Sequence, residues 1–171
     1  IDRRYLAIAT GRQMPANGTV EAALGRSSVN RKKMAVVEPG RGKHAITHYR
    51  TIEPLKNATL VECRLETGRT HQVRVHMAHI GHPLVGDPVY GTGASRIPRG
   101  PVFGRQALHA RRLGLIHPTS GKSMQWKSPL PEDFLSILEQ VRCEAYDARA
   151  AAELDDDDWD EDFADGPEII Y

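Results

Sequence analysis

Apolar side chains recur along this chain in two rhythms. Alternation with period two marks strands with one buried and one polar side. It predicts strands over residues 4–10, 19–24, 34–38, 44–53, 59–66, 107–116 and 123–127, separated by loops rich in Gly, Pro and Asn. The second rhythm repeats every three to four positions. Val73, His76, Met77 and Ile80 follow it and predict a helix over about 70–80, closed by Gly81, a residue type that favours helix ends. Phe134, Ile137, Leu138 and Val141 predict another over about 131–143, where Pro131, Glu132 and Asp133 suit a helix start. Strands and segregated helices in this order imply an α+β class with a mainly antiparallel, mixed sheet.

One stretch, 65–91, combines both rhythms and carries most of the chemistry. In the strand before it Val61, Cys63 and Leu65 share one side, and Glu62, Arg64 and Glu66 the other. A Gly turn then leads into the first helix. Arg74 falls off that helix's apolar stripe, so it is expected near the surface with its guanidinium fork open to a carboxylate or phosphate. Arg69, Thr70, His71 and Gln72 precede the helix, where backbone N–H groups and an adjacent Arg make a natural phosphate site; a purely structural turn also fits. His76, His79 and His82 recur every third residue, but metal-binding pairs on a helix sit at i, i+4, so they read as structural histidines and no metal is expected. Asp87 reads as a turn cap, His109 and His117 as edge-of-strand residues.

Charge changes the picture in one respect. The formal net charge of +1 conceals a division. Residues 153–171 hold ten of the 22 acids and no Lys or Arg, so residues 1–152 hold 12 acids against 23 bases, a formal +11. A body that basic favours a polyanion. The acidic segment is expected to be disordered and solubilising; a sharper possibility is that it mimics RNA phosphate and competes for the basic face. The expected division is a folded body over 1–145 and an acidic tail over 146–171. Loop 92–104 is basic, rich in Gly and Pro, and expected to move. No apolar run approaches the ~20 residues that span a bilayer, and Cys63 and Cys143 form no metal or disulfide framework; a reducing cytoplasm is the simplest compartment.

The run LETGRTHQVRVHMAHIGHPLVGDPVYG resembles the signature of the RluA-type pseudouridine synthases, most closely their RluD-like branch. Arg3-Arg4-Tyr5-Leu6-Ala7 resembles the family's K-x-Y-x-A motif. Segments 33–36, 42–49 and 105–110, followed by His117-Pro118, appear in family order, so the likeness extends over residues 3–142. The family's nucleophilic Asp lies in a block resembling H-R-L-D-x-x-T-S-G, and no such block occurs here. Asp2 has the wrong neighbours and Asp87 belongs to the GDPxYG loop. By this likeness the chain reads as the C-terminal part of a catalytic domain, inactive by itself.

The resemblance implies the pseudouridine synthase fold and an isomerase that needs no cofactor, because uridine is rearranged without a redox step. RNA would be the partner, large-subunit ribosomal RNA first and transfer RNA as the alternative, met by a monomer. Tyr5 would lie against the flipped uracil and help remove the proton from carbon 5. Arg74 would be the salt-bridge partner of the nucleophilic Asp, left uncompensated here. Contact with RNA is the expectation for Arg69, Thr70, His71 and Gln72. For Arg31, Lys32 and Lys33, with Arg26, RNA contact and plain solvated charge fit equally. Arg111 and Arg112 interrupt an apolar strand, so one of them is expected to face the cleft or RNA. A non-catalytic RNA-binding or ribosome-associated module and a histidine-based metallohydrolase are the readings from other classes.

Overall fold

The computed structural model describes residues 1–11, 14–91, 93, 95–98 and 100–143. The acidic segment and the proposed boundary at 145 lie outside them. Eight strands and two helices follow in chain order: β1 Asp2–Thr10, β2 Asn17–Glu21, β3 Leu24–Arg26, β4 Met34–Val36, β5 Ile46–Leu55, β6 Ala58–Leu65, α1 Gln72–His79, β7 Leu108–Ile116, β8 Ser123–Lys127 and α2 Glu132–Val141. Six strands form one sheet in the order β2-β5-β6-β1-β7-β8, and β3 pairs with β4 in a second. Every described pairing is antiparallel.

The sheet centre is covered on both faces, and the parity of β1 shows it. Leu6 and Ile8 join Leu55, Ala58 and Leu60 in a cluster with Phe134, Ile137, Leu138 and Val141 of α2. Ala7 and Ala9 point the other way and join Val61, Cys63 and Leu65 with Val73 and Met77 of α1. α2 buries the four residues that its spacing predicts. Phe134 is fully buried, and truncating such a side chain to Ala costs about 3–5 kcal/mol.

Two departures from the expected strands have local causes. The run 19–24 divides, because its partner β5 begins at Ile46. Past that point Leu24 donates to Lys43 O and the chain turns away to pair with β4. In β7 a bulge falls between the pairs Arg4–Arg112 and Tyr5–Ala110, so Arg111 is the extra residue. Among the described residues no helix is long and apolar enough to cross a membrane.

Candidate functional site

α1 is enclosed nearly all round. Gln72, Val73, Arg74, Val75, His76 and Met77 are all buried. The strand face lies on one side, and the hairpin of β3 and β4 with Tyr90 closes another through Leu24, Ala45 and Val75. The helix stops in a paired motif: Gly81 N donates to Ala78 O at 3.0 Å and His82 N to Met77 O at 2.9 Å. Gly81 holds φ +87°, a conformation that Gly adopts without penalty.

This enclosure corrects the expectation for Arg74. Its side chain is 9% exposed and its charge is compensated: Nε and Nη2 each donate to a different Asp87 oxygen at 2.9 Å. The guanidinium also lies 5.0 Å from the Tyr90 ring centre. The helical wheel misplaces Arg74 because the loop after α1 folds back and brings Asp87 to it. Asp87 does cap its turn, accepting from Val89 N and Tyr90 N at 3.0 and 3.1 Å. Burial alone would raise its carboxyl; the Arg74 hydrogen bonds and the two amides outweigh that and hold it below the usual carboxylate range.

Tyr90 is the member that pattern reading missed. Its hydroxyl accepts from Met34 N at 3.0 Å and shares a hydrogen with His71 Nδ1 at 2.7 Å. Partial burial, then the Arg74 charge, pull the His71 imidazole below its ordinary pKa. The i, i+3 spacing of Asp87 and Tyr90 in a Gly/Pro loop was the available signal; nothing local in the sequence names their partners. Gly86 completes the corner at φ +76°, where a Cβ would meet Arg105 O. Beside Asp87 lies a cavity of about 270 Å³ lined by Val85, Gly86, Ser95, Arg96 and Phe103.

Of Arg74's five N–H donors, those on Nη1 meet no described residue, and that nitrogen is not sealed from solvent. Tyr5 stands on the same sheet face as α1, half-buried against the cluster that holds Val73 and Met77. Among the described residues no hydrogen bond, ion pair or ring contact joins Tyr5 to Arg74. The fully buried Cys63 lies opposite Tyr5 on β6, its thiol pushed up to about 12 by burial, with Glu62 adding to the rise.

The description RNA pseudouridylate synthase matches residues 1–79. Ribosomal large subunit pseudouridine synthase D of Zymomonas mobilis is 59% identical over 144 residues, 82% of this chain and 45% of the relative. Its counterpart in Pseudomonas aeruginosa is 52% identical over 153 residues, 83% of this chain and 46% of that protein. The chain belongs to the RNA pseudouridylate synthase family. It spans just under half the length of these two relatives. The solved human RNA pseudouridylate synthase domain containing 1 superposes with a TM-score of 0.64 at 31% identity, covering 76% of this chain and 55% of that one. A second human structure, domain containing 4, shares the fold at 24% identity, with a TM-score of 0.62 over 81% of this chain and 61% of its own.

The other synthase candidates divide by burial. Thr70 and His71 are exposed at the mouth of α1, and half-buried Arg69 donates to His44 O at 3.0 Å. Gln72 contradicts its RNA-contact expectation. It is 2% exposed, and its amide bonds Ile46 O, Thr47 Oγ1, Thr67 Oγ1 and Arg69 N, stitching α1 to β5. Arg31 and Lys32 are exposed on the loop between β3 and β4. Lys33 is diverted inward, donating to Val89 O at 3.2 Å. Arg112 does not share the Tyr5 side of the sheet: it stands opposite Arg4 and reaches Asp2 and Gln125. Arg111 Nη1 donates to Ser128 O at 3.0 Å. His76 is structural, wedged between Thr47 Oγ1 and Ala22 O at 2.8 and 2.9 Å, while His82 Nδ1 donates to Thr10 O. No three metal-ligating side chains converge among the described residues.

Proposed function

We propose that this chain supplies the arginine and tyrosine side of a pseudouridine-forming active site, in a protein that isomerises uridine in large-subunit ribosomal RNA. The observation that carries the proposal is the side-on clamp of Arg74 by Asp87. It consumes one edge of the guanidinium and leaves Nη1 for a second carboxylate. A fixed cation within ~4–6 Å lowers a carboxylate pKa by roughly 1–3 units, keeping a nucleophilic Asp ionised in a cleft that excludes water. Tyr5 then offers its ring to the flipped base, a stacking contact worth ~1–3 kcal/mol in single-strand binders, and its hydroxyl to the carbon-5 proton. Thr70, His71 and Arg69 hold the backbone phosphates of the target nucleotide, and Arg31 and Lys32 the flanking RNA. No cofactor enters, the protein works as a monomer, and the cytoplasm is where it meets its substrate. The relatives' names support ribosomal over transfer RNA.

The test is tritium release from RNA labelled at carbon 5 of uridine, comparing this chain with a longer one that carries the sequence encoded upstream. Release by the longer protein alone is the expected result. Turnover by residues 1–171 alone would refute the missing nucleophile, and silence from both would refute the isomerase.

A further inference from the structure

The Tyr90 hydroxyl has one hydrogen to give and lone pairs to receive. The backbone N–H of Met34 on β4 donates to it at 3.0 Å. Its own hydrogen then meets one acceptor among the described residues, His71 Nδ1, at 2.7 Å. Were Nδ1 the donor instead, the phenolic hydrogen would have no acceptor among those residues. A ring nitrogen that accepts carries no hydrogen, so the hydrogen of the neutral imidazole sits on Nε2. No hydrogen bond or ion pair engages Nε2 among the described residues, and His71 is exposed at the mouth of α1. Nε2–H is therefore an unused donor on the ring edge away from the hydroxyl.

Tyr90 is a fixed post for this contact. Its amide donates to Asp87 Oδ1 at 3.1 Å, its ring centre lies 5.0 Å from the Arg74 guanidinium, and it packs against Leu24, Ala45 and Val75. His71 meets the Tyr90 ring edge-on, with centroids 5.6 Å apart and planes at 71°. The His71 backbone is left-handed, φ +56°, and its side chain does not cap α1. Its described side-chain hydrogen bond and its ring contact are both with Tyr90. Four influences act on the charge of the imidazole. Partial burial and Arg74 disfavour the charged ring, Asp87 favours it and Arg26 opposes it, and the balance lies below the ordinary pKa.

We propose that Tyr90 is a positioning residue of the RNA site: by donating to Nδ1 it locks His71 as the Nε2–H tautomer and presents that N–H to a phosphate oxygen of the bound strand. The donor is uncharged, so it fixes the strand's register without adding to the salt-dependent attraction that cations supply. The inference rests on the reading of the α1 mouth as an RNA contact. It assigns Tyr90 a part in that contact beyond closing the fold around Arg74.

Two measurements on the full chain test it. At pH 8, above the ordinary imidazole value of about 6.5, long-range nitrogen–proton correlation spectra should show His71 in the Nε2–H form alone. Tyr90→Phe should relax it to the mixture of an unrestrained imidazole. An Nδ1–H ring in the natural chain, or an unchanged tautomer population in Tyr90→Phe, would overturn the inference whatever the chain binds. The second measurement is oligouridylate affinity as a function of salt. His71→Asn, whose shorter amide suits a left-handed backbone, should weaken binding about tenfold or more, the scale of one hydrogen bond to a charged group. His71→Gln carries an amide N–H near the Nε2 position and should retain most of the affinity. Tyr90→Phe should weaken binding severalfold. In all three the slope of log affinity against log salt should hold, because a neutral donor releases no counterion; a slope shallower by about 0.7, the loss of one phosphate charge contact on a single strand, would mean that His71 acts as a cation or that the Arg69 side of the site has collapsed, and would overturn the inference. Natural affinity in Tyr90→Phe and His71→Asn overturns it alone. No affinity in the natural chain overturns it together with the RNA reading beneath it.

Discussion

Replacing Asp87 by Asn tests the corner most directly. The substitution keeps the size of the side chain and one oxygen for the amides of Val89 and Tyr90, but removes the charge that holds Arg74. Arg74 then stays 9% exposed with no counter-ion in a site where Asp87 is fully buried. Removing one partner of a buried pair costs about 3–5 kcal/mol. At roughly 2–4 °C per kcal/mol for a domain of this size, the melting midpoint should fall by about 6–20 °C. Because the folded-state pKa of Asp87 is depressed, its contribution is complete above the unfolded value of about 3.9 and is lost as pH falls through the folded value. The penalty should therefore be full at pH 7 and shrink towards strongly acidic pH. Urea denaturation of both proteins from acid to neutral pH measures this. A neutral-pH loss under about 1 kcal/mol, the scale of an exposed pair, would show that the clamp is not an internal one and refute the reasoning.

Three further outcomes are expected. Burial, partly offset by the Ala22 hydrogen bond, depresses His76; its contribution is complete above the unfolded value of about 6.5 and falls as pH drops. Denaturation midpoints should therefore decline from pH 8 to pH 5, and His76→Gln should flatten that slope. Gly81→Ala, at φ +87° with open space around the added methyl, should cost about 1–2 kcal/mol from backbone strain alone, read as a shift in urea midpoint at unchanged slope. In a longer, active protein, Arg74→Lys and Tyr5→Phe should each bind RNA normally yet release tritium at a rate reduced by about 10²-fold or more, the scale of a lost positioned catalytic group. Normal turnover by either would remove that residue from the site.

The strands were legible because their alternation is strong: Val61, Cys63 and Leu65 do share the α1 face, and Glu62 and Arg64 the other. The second helix was legible for the same reason, with one clean apolar stripe. The first helix misled. A wheel assumes that one side faces water, whereas Arg74 and Gln72 are buried by elements distant in sequence, the β3–β4 hairpin and the loop carrying Asp87 and Tyr90. Pattern reading identifies Arg74 as special, but its partner is settled only by tertiary closure. Strand pairing hid the rest. That Arg112 stands opposite Arg4, away from Tyr5, follows from a one-residue bulge that no local signal announces.

β8 is exposed at every one of its five residues, and Trp126 and Met124 remain 46% and 37% open to solvent. The strand hangs on β7 by its ladder, with almost no side-chain burial to hold it. Its amides should exchange with solvent long before those of β1 or β6, and unfolding should begin as a peel from this margin inwards. Lys122 and Lys127 at its ends then act as guards, discouraging a stray strand from another molecule from zipping onto the open rim.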